Sequence, residues 1–146
     1  MEAIIHLPGE GERIGDASTV TIKATGEDTN DSFYLGETTI ASGFPGPPPH
    51  VHDRLHDMFY VLEGTLTLLV GDRTIEAGSG SFACVPPGVV HTFRNDSDGS
   101  VRFLNFNTPA GWENYMRDLA DAAQSAPLTP EVFARVASRY DFDFAV

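Results

Sequence analysis

The sequence predicts a mainly β fold, a sandwich or barrel finished by two C-terminal helices. Three observations lead there. Fourteen glycines and ten prolines cut the chain into short segments, which are rich in β-branched and aromatic residues. Helical spacing sets in only after residue 108. A length of 146 residues is enough for one domain with its own core. We therefore expect a single domain over 1–146, with a barrel core at about 19–108 and a helical segment at about 109–140.

In chain order, "TVTIKAT" (19–25) alternates Val20, Ile22 and Ala24 with threonines and Lys23, the period of a half-buried strand. "GEDTND" reads as a turn and "SFYLGETTIA" (32–41) as the next strand. "SGFPGPPP" (42–49) cannot lie inside a sheet, because Pro47, Pro48 and Pro49 have no N–H to give. It is a stiff connector that delivers the chain to His50. "MFYVLEGTLTLLVGDRTIEAG" holds two or three strands, with turns at Glu63-Gly64 and Gly71-Asp72. "SFACVPPGVVHTFRN" and "VRFLNFNTP" add more, separated by the turn "NDSDGS" (95–100). Cys84, in "SFACVPP", reads as a buried structural cysteine.

In the tail, Thr108 and Pro109 read as a helix start. Trp112, Tyr115, Met116, Leu119 and Ala123 then share one face as packing residues. Thr129-Pro130-Glu131 starts a second helix bearing Val132, Phe133, Val136, Ala137 and Tyr140.

Nine basic against twenty-one acidic residues give a formal charge of −12. Such a surface repels phosphate backbones and anionic lipid, so nucleic-acid and membrane partners are not expected. No apolar run approaches the roughly 18 residues of a membrane span. The first residues, "MEAIIHLPGEGERIG", have too short an apolar stretch and the wrong charge for a signal peptide. One cysteine fits a reducing compartment, and the cytoplasm is the expected location.

The chemistry concentrates in "PPPHVHDRLHDMFYVLEG" (47–64), which holds three of the five histidines. On a strand, His50 and His52 leave by the same face and present two imidazoles to one ion. His91, after the turn "PPGVV", is the remaining nitrogen donor, and the carboxylate comes from "DRLHD", as Asp53 or Asp57. His6 reads as an ordinary solvated residue. No serine lies in a nucleophile elbow, which argues against serine hydrolysis.

These residues resemble the two cupin motifs. His50-Val51-His52, the acidic Asp57 and Gly64 follow G-x5-H-x-H-x3,4-E-x6-G, although Phe44 stands where the leading glycine belongs. Gly80, Pro86, Gly88, His91 and Asn95 follow G-x5-P-x-G-x2-H-x3-N without a gap. The resemblance implies a cupin (double-stranded β-helix, jelly-roll) barrel. It implies His50, His52, Asp57 and His91 as ligands of one divalent transition metal (Fe, Mn, Co, Ni, Cu or Zn). It also implies that His50 and His52 share a strand, that Asp57 lies on its hairpin partner, and that Asn95 braces the turn before His91. Asp57 is one methylene shorter than the family's glutamate, and His56 is an alternative fourth donor. Opposite strand faces separate His56 from Asp57, and the motif spacing favours Asp57.

Over most of its length the chain resembles small single-domain cupins similar to quercetin 2,3-dioxygenase. That implies a small-molecule substrate such as a flavonol or other enolisable aromatic, dioxygen as co-substrate, and Asp57 as catalytic general base. Phe44, Phe59, Phe93 and Phe103 are the candidate pocket walls. The alternatives are a metal-dependent isomerase, cyclase or lyase of a small oxygenated compound, and a non-catalytic binding barrel. An open sheet edge predicts a homodimer.

Overall fold

The computed structural model describes residues 2–144, which are built around two antiparallel sheets. One has six strands in the order β1 (Glu12–Gly15), β2 (Thr19–Ala24), β3 (Tyr34–Ile40), β10 (Val101–Thr108), β5 (His56–Glu63) and β8 (Phe82–Val85). The other has five, in the order β11 (Asp143–Phe144), β4 (His50–Val51), β9 (His91–Arg94), β6 (Leu66–Val70) and β7 (Arg73–Ala77). The sheets face each other as a jelly roll. Helix α1 (Gly26–Thr29) follows β2, while α2 (Trp112–Ser125) and α3 (Pro130–Ala137) follow β10.

Alternation sets the inner face. Along β10, Val101, Phe103, Asn105 and Asn107 are buried; along β5, Asp57, Phe59 and Val61 are. The barrel core joins Phe59, Val61, Val85, Val101 and Phe103 of one sheet to Leu66 and Leu68 of the other. Each such apolar side chain contributes about 1.5–3 kcal/mol on full burial. A second cluster joins Tyr115 of α2 and Val136 and Ala137 of α3 to Phe142, just before β11. Among the described residues, no helix is long and apolar enough to cross a membrane.

Several expectations change. "GEDTND" holds a short helix, because Thr25 and Asp28 form a reciprocal capping box. Helix α2 begins at Trp112 rather than at Pro109: Thr108 still pairs with His56, and Gly111 takes the cap position. The second start holds, with the Thr129 hydroxyl accepting from the Val132 N–H. Cys84 lies on a strand but is exposed, since β8 is an edge strand and only Val85 of its inner face is buried. Strands β1 and β11 carry little apolar alternation and were not foreseen.

Candidate metal centre

His50, His52, Asp57 and His91 are all buried, and one donor atom from each lies within 4.8 Å of the others. The histidines come from the five-stranded sheet. His50 on β4 is the direct cross-strand partner of His91 on β9, and His52 follows one residue beyond β4. Asp57 comes from the opposite sheet, where it sits on β5 between Val85 of β8 and Asn107 of β10. The expected hairpin pairing is therefore corrected: the loop from His52 to His56 crosses between sheets, so the carboxylate faces the imidazoles across the barrel. His56 is exposed on the outer face of β5 and takes no part. Asp53 is exposed as well.

Each imidazole is fixed by its far nitrogen. Nδ1 of His50 donates to the Pro48 carbonyl at 2.9 Å, Nδ1 of His91 to the Val89 carbonyl at 2.9 Å, and Nδ1 of His52 to the Asp141 carbonyl. A proton on Nδ1 leaves the Nε2 lone pair for a ligand. His52 Nε2 is buried with no hydrogen-bond partner among the described residues; Asp57 Oδ2, at 3.7 Å, is too distant. An orphaned buried nitrogen aimed at a carboxylate and two further imidazoles fits a divalent cation.

Asp57 is oriented from behind. The Nδ2 groups of Asn105 and Asn107 both donate to Oδ1 at 2.7 Å, so Oδ2 faces the histidines, 2.9 Å from His91 Nε2. Burial alone raises the Asp57 pKa, but the neighbouring imidazoles outweigh it and hold the group below the usual carboxylate range. Burial lowers the His50 pKa to about 4, with its histidine neighbours adding to the effect. His52 is pulled down by burial and more than restored by the Asp57 carboxylate and the Asp141 carbonyl, so its pKa lies above the ordinary value.

The tail clamps the histidine loop. The Asp141 carboxylate accepts from the backbone N–H groups of Asp53, Arg54 and Leu55 at 2.6, 2.9 and 2.9 Å, while its carbonyl holds His52. Phe142 stacks on His50 with centroids 4.5 Å apart, and β11 pairs with β4. Gly88, at φ +85°, makes the expected turn before His91 and donates its N–H to the His52 carbonyl. Asn95 braces a different turn from the one expected. Its amide donates to the Ile40 and Gly99 carbonyls, and its oxygen accepts from Ser97, which secures 95–99.

Beside the group lies a chamber of about 860 Å³. It borders the centre through Pro48, whose carbonyl holds His50, through Asn105, which braces Asp57, and through Trp112, stacked on His50. Of the expected walls, Phe44, Phe93 and Phe103 line it. Phe59 instead lies in the core, packed against Phe93 and Phe103. Trp112, Tyr115 and Met116 pack as expected and also form chamber wall.

Two opposed antiparallel sheets with polar groups directed inward define the class of jelly-roll barrels that enclose their site. Within that class, the model described as Cupin domain matches residues 36–107, so this stretch carries a cupin domain. Quercetin 2,3-dioxygenase from Bacillus subtilis (strain 168) is 36% identical over 92 residues, covering 61% of this chain and 26% of that protein. The chain thus spans about a quarter of the length of that relative. The polyketide cyclase RemF from Streptomyces resistomycificus superposes with a TM-score of 0.57 at 28% identity, covering 74% of this chain and 80% of that one. KdgF from Halomonas sp. shares the fold at a TM-score of 0.63 and 12% identity, covering 78% of this chain and 98% of that one. The nucleoside dehydratase Pac13 shares it at 0.59 and 17% identity, with 77% and 88% covered.

Proposed function

We propose that this cupin is a metal-dependent dioxygenase of a flavonol-like or other enolisable aromatic molecule, with His50, His52, His91 and Asp57 as ligands of one divalent ion. The observation that carries the reading is the buried three-histidine, one-carboxylate group beside a large, aromatic-walled chamber. The identity with quercetin 2,3-dioxygenase supports it. A bound divalent ion supplies Lewis-acid stabilisation of an enolate oxygen.

The chain's own residues do the rest. The chamber wall excludes water and holds the aromatic body against Phe44, Phe93 and Trp112. Asp57 Oδ2 takes the proton of the substrate hydroxyl, while the Asn105 and Asn107 amides keep Oδ1 occupied and the carboxylate aimed inward. Both atoms of dioxygen enter the cleaved product, and one ring carbon leaves as carbon monoxide. Metal-loaded protein given quercetin should consume dioxygen and release carbon monoxide. Binding of quercetin without oxygen uptake in the iron, manganese, cobalt, nickel and copper forms contradicts the reading. The 28% identity to a polyketide cyclase favours a second one, metal-assisted cyclisation of a similar aromatic without oxygen consumption. The expected homodimer belongs to the same proposal, with the β8 edge and its exposed Phe82 as the pairing surface.

Asp141 is the positioning residue of this centre. Asp141→Ala should weaken metal affinity about 10–100-fold, the usual cost of losing a group that orients a ligand. Competition against a chelating dye reads it. Unchanged affinity would mean that the loop from His52 to Leu55 holds its shape without the tail.

A further inference from the structure

The hydroxyl of Tyr34 takes no part in the centre described above, yet its placement is specific. Tyr34 leaves β3 on the inner face and is fully buried. Its ring runs along the strand over Gly36, where any Cβ would collide with the phenol oxygen, so glycine at 36 is what gives the hydroxyl room. Opposite Gly36 on β10 stands Asn105, the amide that braces Asp57. Tyr34 and Asn105 both line the chamber. The phenol oxygen finds no hydrogen-bond partner among the described residues.

A buried hydroxyl left unpaired costs about 1–3 kcal/mol, and phenylalanine fills the same space without that cost. Burial raises the phenol pKa well above its ordinary value, and the Glu113 and Asp57 carboxylates add to the shift. The group is therefore a donor rather than an anion. Around it the wall is largely apolar, with Phe44, Phe93, Phe103, Trp112 and Phe133 prominent. The volume is of the size that takes a drug-sized ligand, roughly 300–1,000 Å³.

We propose that Tyr34 is the polar anchor of the chamber, donating a hydrogen bond to a carbonyl or hydroxyl oxygen of a flat, polycyclic aromatic ligand whose apolar body rests on the phenylalanine and tryptophan wall. This deepens the proposed function by naming how the ligand is held. It rests on that reading for the ligand's chemical class and not for any reaction with dioxygen.

Trp112 is the only tryptophan and lines the chamber, so its fluorescence reports occupancy. The purified full chain is titrated with 3-hydroxyflavone and with 2-phenylnaphthalene, an oxygen-free hydrocarbon of similar shape. Both should quench Trp112. Tyr34→Phe should weaken 3-hydroxyflavone about tenfold, the equivalent of one lost hydrogen bond, and leave the hydrocarbon within about twofold. Its melting temperature should be unchanged or higher, which separates the result from misfolding. Equal weakening of both probes assigns the residue to packing, and no weakening of either assigns the hydroxyl to a water; each overturns the proposal, as does failure of both to bind. Tyr34-dependent binding with no oxygen uptake leaves this inference standing and removes the dioxygenase reading. Oxygen uptake with no effect of Tyr34→Phe on binding does the reverse.

Discussion

Replacing His91 with alanine is expected to empty the metal centre. His91 is the cross-strand partner of His50 and the imidazole nearest Asp57, at 2.9 Å. Its loss removes one nitrogen donor and leaves a cavity beside the buried Asp57 carboxylate. The metal-free variant should therefore also melt earlier than the metal-free parent. The parent should lose metal as pH falls, for a reason that can be assigned. The His52 pKa is raised, so protons compete at its Nε2 first as pH falls, whereas His50, lowered to about 4, stays neutral and ready to ligate. Affinity should therefore decline below about pH 6, where an ordinary imidazole begins to hold its proton. The Asp57 pKa is depressed, so its contribution to stability is present above the ordinary carboxylate value and fades only in stronger acid. Metal content after gel filtration at a series of pH values, for parent and His91→Ala, checks both statements.

The second large effect belongs to Asp57. Asp57→Asn keeps the shape but removes the charge and the proposed general base, and should lower turnover of a flavonol by about 10²-fold or more. Asp57→Glu restores the acidic group at the longer reach and should keep a substantial part of the rate. His56→Ala should leave both metal content and rate close to the parent, because that side chain is exposed on the outer face of β5. Steady-state oxygen uptake with quercetin ranks the three. A larger loss for His56→Ala than for Asp57→Asn would place the wrong face of β5 inside the barrel.

What the sequence made legible depended on how local the signal was. The His50-Val51-His52 spacing and the proline-glycine turn before His91 are short-range features, and both sit in the structure where their spacing put them. The strand after Asp57 was ambiguous because Met58, Tyr60 and Leu62 are as apolar as Phe59 and Val61. Burial resolves it in favour of the face carrying Asp57. Asn105 and Asn107 were missed although a signal existed: two amides at period two on the buried face of "VRFLNFN" are out of place unless something needs their hydrogen bonds. Asp141 gave no such signal. Its partners lie at 52–55, far away in sequence, and only the return of the tail as β11 beside β4 brings them together. Cys84 misled because a small apolar strand reads as interior when nothing in it says that the strand lies at a sheet edge.

The central claim is that His50, His52, Asp57 and His91 hold one divalent ion, and elemental analysis of the full chain, purified without chelator from metal-supplemented culture, tests it most directly. The account predicts about one transition-metal ion per chain, lost in His91→Ala and kept in His56→Ala. A metal-free parent, or equal metal in the parent and His91→Ala, contradicts it.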